Sequence, residues 1–190
     1  LVVEGYLDVA SLSQHGIEPS VATLGTATTA EHIRRLTRLT DRVIFCFDGD
    51  KAGRKAAWRA LETALPHAGG AVELKFLLLP DGQDPDSLVR ERGTESFRAL
   101  LPSARQLSEF MLEELQSKVD LDSADGRSRL TALVGPLLER LPMGVYRELL
   151  LERLGGLVGL APDRLEMLLA APSPGPTAAA AVEPSAQRSP

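Results

Sequence analysis

Two short apolar segments of this chain each end abruptly in carboxylates, and this pattern constrains the fold more than any other feature. Residues 1–3 run directly into Glu4, and residues 43–47 stop just before Asp48 and Asp50. In a parallel α/β sheet, ligands bind outside the carboxyl ends of the strands. We therefore expect these three carboxylates to meet at one edge of a sheet. Because they repel one another unless a cation lies between them, and because no His or Cys accompanies them, the pattern favours Mg²⁺ or Mn²⁺ over zinc.

Strand-like and helix-like segments alternate over the first half of the chain. The strand-like segments are residues 1–4, 21–24, 43–47 and 72–79, and helical patterns fill 8–14, 28–39 and 52–65. This order predicts an α/β fold with a mostly parallel sheet flanked by helices. For the second helix, the pattern of a capping box predicts Thr28 as N-cap and Glu31 as the third helical residue.

The character of the sequence changes after about residue 94, where strand-like runs end and only helical periods follow. We therefore predict an α/β domain over 1–95 and an all-helical subdomain over 96–170. Residues 171–190 are rich in Pro, Ala, Ser and Gly and have little apolar bulk to offset the entropy of ordering them. They are predicted to form a disordered linker.

Composition limits the classes of protein to which the chain can belong. Apolar residues make up 44% of the 190 residues, enough for a sizeable core, and the net charge of −5 argues against a surface that is basic all over. The single cysteine, Cys46, excludes a disulfide framework and favours a reducing compartment. No apolar run is long enough to span a membrane. Because the chain starts inside an apolar segment without Met, we expect it to be a piece of a longer protein.

The acidic motifs also fit simpler structural roles. Asp-Gly-Asp is common in turns, and Asp50 can cap the helix that follows it. In the third acidic motif, Asp84 suits an N-cap, Pro85 the first helical position, and Asp86 the first turn. On the helix after Asp50, Lys51, Arg54 and Lys55 share one face; they suit either phosphate binding or a solvated surface.

Four motifs, in this order and spacing, resemble the toprim family and within it the bacterial replicative primases. They are Glu-Gly-Tyr-Leu-Asp-Val at 4–9, Leu-Gly-Thr-Ala at 24–27, Phe-Asp-Gly-Asp-Lys-Ala-Gly-Arg at 47–54, and Pro-Asp-Gly-Gln-Asp-Pro-Asp at 80–86. The resemblance covers residues 1 to about 100 closely and the helical part more loosely.

The resemblance implies a set of site residues and a metal. Glu4, Asp48 and Asp50 are expected to bind Mg²⁺ or Mn²⁺ and to be catalytic. Further residues are expected to line the same site: Asp8, Asp84 and Asp86 as additional or indirect metal partners, and Lys51, Arg54 and Lys55 for nucleotide or template. Zinc is expected only in an N-terminal domain that this chain lacks.

The implied activity is RNA primer synthesis from ribonucleoside triphosphates on single-stranded DNA. The replicative helicase is expected to bind through a C-terminal domain outside this chain. No membrane partner is expected, and the expected location is the cytoplasm, at the replication machinery of the nucleoid.

Three other interpretations stay open at this point. The chain can belong to another toprim enzyme, a topoisomerase or a nuclease. It can be a phosphoacceptor module in which Asp48 receives the phosphoryl group, although such modules need a lysine where Pro80 and Asp81 follow the last strand. The helical part can act mainly as an interaction module for replication proteins.

Overall fold

A computed structural model describes residues 1–23 and 27–170 of the chain. Three parallel strand pairings and one antiparallel pairing build a five-stranded sheet in the order β2-β1-β3-β4-β5. The strands are β1 (Val2–Val3), β2 (Val21–Ala22), β3 (Arg42–Phe47), β4 (Glu73–Leu78) and β5 (Arg105–Gln106). The predicted mostly parallel α/β sheet is confirmed.

Eight α-helices are assigned within the described residues. Those of the α/β part are α1 (Tyr6–Gln14), α2 (Ala30–Leu36), α3 (Lys51–Ala64) and α4 (Pro85–Leu100), and those that follow are α5 (Leu107–Gln116), α6 (Ala124–Leu138), α7 (Val145–Val158) and α8 (Pro162–Ala170). Short 3₁₀ turns at Leu65–His67 and Leu101–Ser103 follow α3 and α4. No helix in these ranges is both long and apolar enough to cross a membrane.

Side chains of β3 alternate between two apolar layers, because successive residues of a strand point to opposite faces of a sheet. Val43, Phe45 and Phe47 pack on one face with α3 and the later helices. Cys46 packs on the other face, in a cluster that α1 and α4 complete. The sheet is therefore covered on both sides, which explains why β3 is a continuous apolar run.

A stack of phenylalanine rings joins the sheet to the helical part. The ring centroid of Phe76 in β4 lies 5.3 Å from that of Phe45 and 5.1 Å from that of Phe110 in α5. The same apolar cluster continues into α6, α7 and α8 through Leu130, Leu151 and Leu165. The helices after the sheet thus share a core with it.

The structure corrects the prediction that no strand follows residue 94. Arg105 and Gln106 pair antiparallel with Phe76 and Lys75 and form the fifth strand. The segment is too short to give a strand-like pattern in the sequence. The division at residue 95 stays a prediction. The helical segment α4 is kinked close to that position, at Gly93, which has a non-helical backbone with φ of 80°. The motif residues 24–26 and the predicted linker 171–190 lie outside the described residues.

The cap of α2 also differs from the expected one. Thr29 is the N-cap, and its hydroxyl accepts a hydrogen bond from the backbone N–H of His32 at 3.2 Å. Glu31, expected to close the capping box, instead forms ion pairs with Arg34 and Arg35. The helix therefore starts one residue later than predicted, at the second of two adjacent threonines.

The loop after β3 packs directly on the loop after β4. The backbone N–H of Gly49 donates to the carbonyl of Gln83 at 2.9 Å, and the Gly82 N–H donates to the Gly49 carbonyl at 3.0 Å. A Cβ atom at Gly49 would overlap the backbone carbonyl of Pro80. Glycine is needed here for this close approach.

We expect Gly49→Ala to lower the free energy of unfolding by about 1–3 kcal/mol, because the added methyl group forces two backbone segments apart. Gly156→Ala is the matched control, since nothing lies within 4 Å of a Cβ built there. In helix α7 this second change should stabilise the protein by up to about 1 kcal/mol. Urea denaturation of both variants measures the difference, and equal stabilities would contradict the packing described for Gly49.

Candidate functional site

The pairing of β1 with β3 brings the first two acidic motifs to neighbouring strand ends. Val2 pairs with Phe45 in parallel register, so Glu4 and Asp48 both lie just beyond the carboxyl ends of their strands. From β1 the chain goes to β2 on one side, and from β3 it goes to β4 on the other. The two connections diverge at this point, which is where open α/β sheets place their ligand sites.

Helix N-termini hold three more of the predicted carboxylates. Asp50 caps α3 and accepts a hydrogen bond from the Gly53 N–H at 2.6 Å. Asp84 caps α4 and accepts from the Ser87 N–H at 2.7 Å. Asp8 lies in the first turn of α1 and accepts from the Gly5 N–H at 3.0 Å. These bonds satisfy helix donors and also fix the direction of each carboxylate.

The carboxyl group of Asp48 is the most perturbed of the predicted site residues. Its pKa is raised from 3.8 to about 7, mainly by burial and then by the carboxylates of Glu4, Asp8, Asp84 and Asp50, in that order of effect. These four repulsions show that the predicted acidic residues share one electrostatic environment. A cation among them would lower the cost of ionising Asp48.

Glu4 is half-buried, and its Oε1 atom is buried without a hydrogen-bond partner. Burial raises the pKa of this carboxyl group, and the charges of Asp50 and Asp8 raise the pKa further. The Arg59 guanidinium and a hydrogen bond from the Asp48 backbone act in the opposite direction. A buried acceptor without a partner is costly, so the oxygen is suited to a ligand.

Asp8 and Asp86 differ in their surroundings. Burial raises the pKa of Asp8 and the charges of Asp84 and Asp86 add to this effect, while the bond from the Gly5 backbone opposes it. Hydrogen bonds from Ser11 and Arg90 hold the pKa of Asp86 below its usual range. Asp86 is therefore already stabilised as an anion without any metal.

No group of three His, Cys, Asp or Glu side chains is positioned to hold a metal ion by itself in residues 1–23 and 27–170. The carboxylates repel one another across the site, yet capping bonds keep several of them turned toward helix ends. Mg²⁺ needs only one or two carboxylates, since water and substrate phosphates supply its other ligands. The donor set fits such an open site better than a closed cage.

The three predicted cations are not equivalent. Lys51 and Lys55 are exposed on α3. Arg54 forms an ion pair with Glu114 of α5, with 3.0 Å between guanidinium nitrogen and carboxylate oxygen. The structure therefore leaves the two lysines available to ligands and gives Arg54 a partner within the fold.

Sequence reasoning missed Arg59, which lies one helical turn beyond Lys55 on the same helix. Arg59 and Glu4 line a cavity of about 130 Å³, together with Thr28 and Phe47. The four-residue spacing from Lys51 to Lys55 to Arg59 was the available signal, because such residues share a helix face.

The fold and the acidic strand ends define a toprim-like domain, and the family model described as Toprim-like matches residues 1–89. A DNA primase of Escherichia coli strain K12 is 51% identical over 170 residues, which cover 89% of this chain and 29% of the relative. A DNA primase of Pseudomonas aeruginosa is 48% identical over 169 residues, which cover 88% of this chain and 26% of the relative. This chain is similar to bacterial DNA primases over most of its own length, and it spans less than a third of the length of these relatives.

Solved structures agree with this assignment. A crystal structure of a DNA primase domain from Pseudomonas aeruginosa has a TM-score of 0.84 and 47% identity, over 89% of this chain and 53% of that one. The structure of a DnaG primase catalytic domain bound to single-stranded DNA has a TM-score of 0.80 and 49% identity, over 86% of this chain and 52% of that one.

A second family model matches most of the helical part of the chain. The model described as the DnaB-helicase binding domain of primase matches residues 108–163, which hold α5, α6 and α7. This match lies inside the chain, whereas the expectation drawn from the sequence places helicase binding in a C-terminal domain outside it. Its helical periods carry no signature of a helicase contact, so residue patterns alone could not locate this segment.

The raised pKa of Asp48 predicts how stability depends on pH without metal. Between pH of about 4 and 7 the unfolded chain loses the proton of the Asp48 carboxyl group, while the folded chain retains it. The contribution of Asp48 to the free energy of unfolding is therefore lost as pH rises through that window. We expect Asp48→Asn to gain stability relative to the parent between pH 5 and 8 by about 1–2 kcal/mol, after discounting for solvent screening.

Chemical denaturation in chelator at several pH values measures this effect. Asp41→Asn is the control, because Asp41 is exposed at the opposite end of β3. Parallel stability curves for Asp48→Asn and the parent would contradict the described environment of Asp48.

Proposed function

We propose that this chain contributes the metal-binding part of a DNA primase, which joins ribonucleotides into a primer on single-stranded DNA. The observation that carries the proposal is the shared electrostatic environment of Glu4, Asp48 and Asp50 at the ends of β1 and β3. The identity to DNA primases over most of the chain supports the same reaction.

The residues that would hold Mg²⁺ or Mn²⁺ are Glu4, Asp48 and Asp50. Bound there, the metal would supply positive charge for the phosphate oxygens of the reacting nucleotides. The unpartnered Oε1 of Glu4 and the destabilised anion of Asp48 support this assignment, since both groups gain from a cation. Asp8 and Asp84 would add negative potential nearby, and Asp86 would act only through its neighbours.

Each of the three ligands has a role set by its place in the fold. Asp48 follows the central strand β3 and interacts with every other carboxylate of the group except Asp86, which suits a bridging position. Asp50 is oriented by its bond to Gly53. Glu4 has an oxygen able to accept a proton from an attacking 3′-hydroxyl, and this role is compatible with metal ligation.

The exposed cations on α3 suit the negative charge of the substrates. Lys51 directly follows Asp50, and Lys55 lies one turn later on the same face. We assign both lysines to binding the phosphates of the incoming triphosphate or of the template. Arg54 has Glu114 as a partner and is assigned the smaller contribution.

Single-stranded DNA, ribonucleoside triphosphates and an RNA primer are the proposed substrates and product. A related DnaG catalytic domain has been solved bound to single-stranded DNA. The replicative helicase is the proposed protein partner, and the family match at residues 108–163 supports a contribution from α5–α7. A cytoplasmic, nucleoid-associated location stays a prediction.

We expect Asp48→Ala in the intact protein to reduce primer synthesis by at least about a thousandfold, since removing a metal ligand removes charge stabilisation of the transition state. Primer synthesis on single-stranded template with labelled ribonucleotides measures the loss. Near-parental synthesis by this variant would exclude Asp48 from the metal site.

Asp50 calls for a variant that separates capping from ligation. Asp50→Ala should also lose about 1 kcal/mol of stability, because the bond to Gly53 disappears. Serine caps helices as well as aspartate does, so Asp50→Ser should keep stability and still lose primer synthesis. An active Asp50→Ser variant would show that Asp50 only caps α3.

Lys51→Ala should raise the KM for ribonucleoside triphosphates by about tenfold and leave the affinity for Mn²⁺ within about twofold, because the ammonium contacts phosphate rather than metal. Steady-state kinetics and manganese relaxation measure the two quantities. An unchanged KM would show that Lys51 is a solvent-exposed residue without a role in nucleotide binding.

A further inference from the structure

Arg59 is the one arginine of α3 that lies beside the acidic site. Its positive charge acts on the Glu4 carboxylate, although α3 begins eight residues earlier, at Lys51. Its side chain forms no hydrogen bond and no ion pair within 4 Å to any residue in the described ranges 1–23 and 27–170. Within those ranges, no residue occupies the hydrogen-bond donors of its guanidinium.

The cavity between Glu4 and Arg59 limits the size of that ligand. Its volume of about 130 Å³ is well below the roughly 300–1,000 Å³ of pockets that enclose whole small molecules. The cavity has room for about four water molecules, or for one compact polar group of a larger ligand. Thr28 and Phe47 are also among the residues that line it.

The lining of this cavity contains both a negative and a positive side chain. The Glu4 carboxylate on one side suits a cation or a hydrogen-bond donor, and the Arg59 guanidinium on the other suits an anion. The two groups do not form an ion pair with each other, because their charged atoms are more than 4 Å apart. A group that carries oxygen anions and itself binds a cation fits between them better than a neutral group.

Two further cations lie on the same face of α3 as Arg59. Lys51, Lys55 and Arg59 are four residues apart, so their Cα atoms advance by about 6 Å per step and by about 12 Å in all. All three are exposed. Arg54, in contrast, turns toward α5 and pairs with Glu114. One face of α3 thus carries a row of cations that begins at the acidic site.

We infer that Arg59 is a further phosphate-binding residue of this site, with its guanidinium on a phosphate group held between it and Glu4. This inference rests on the proposed function, because it assumes that nucleotides are the substrates. A planar guanidinium binds two phosphate oxygens at once, which an ammonium cannot do. The phosphate comes either from the incoming triphosphate or from the backbone of a nucleic-acid strand.

The test compares Arg59→Ala with Arg59→Lys and with Arg38→Ala in the intact protein. Arg38 is an exposed cation just after α2, and its removal changes the net charge equally. Alanine at an exposed helix position favours the helix, so Arg59→Ala should fold. Equilibrium binding of a fluorescent ribonucleoside triphosphate and of single-stranded DNA is measured by anisotropy in Mn²⁺, without turnover.

We expect Arg59→Ala to weaken triphosphate binding by about tenfold, with Arg59→Lys intermediate and Arg38→Ala within about twofold of the parent. An equal loss in binding of single-stranded DNA, with triphosphate binding unchanged, would assign the phosphate to the strand and still support the inference. Unchanged binding of both ligands, or equal losses in Arg38→Ala and Arg59→Ala, would overturn it.

Measuring primer synthesis by the parent protein distinguishes a failure of the role of Arg59 from a failure of the proposed function. A parent that makes primers, combined with an Arg59→Ala variant that binds both ligands normally, would overturn the role of Arg59 alone. A parent that binds nucleotide but makes no primers in Mg²⁺ or Mn²⁺ would overturn the proposed function, and the binding comparison would still decide the role of Arg59.

Discussion

The parallel pairing of β1 with β3 is the interaction on which the site depends. This pairing places Glu4 and Asp48 at adjacent strand ends, although they lie far apart in the sequence. The chain then leaves the two strands in opposite directions, which opens the edge of the sheet. Without this register, the acidic motifs would be isolated turns with no common chemistry.

Bringing carboxylates together has a cost that the fold only partly offsets. Helix N-termini stabilise Asp8, Asp50 and Asp84 through backbone donors. Asp48 has no such bond among the described residues, and its pKa rises to about 7. The least stable anion of the group thus lies at the end of the central strand β3, and such shifted pKa values are typical of functional sites.

The helical part is tied to the same framework. Phe110 of α5 stacks on Phe76 of β4, and the shared apolar cluster extends from there to α8. Any partner that binds α5–α7 therefore contacts helices that pack on the sheet carrying the acidic residues. The ion pair between Arg54 and Glu114 adds a polar contact between α3 and α5 near the site.

The sequence by itself determined the α/β class, the strand ends that carry Glu4, Asp48 and Asp50, and the caps at Asp50 and Asp84, because these follow from local apolar runs and from turn chemistry. Only the tertiary structure decided that Arg105–Gln106 joins the sheet, that Arg54 pairs with Glu114, and that Arg59 faces Glu4. A two-residue strand and a contact between distant helices leave no periodic pattern in a sequence. They depend on which surfaces packing brings together, and this is a property of the whole fold.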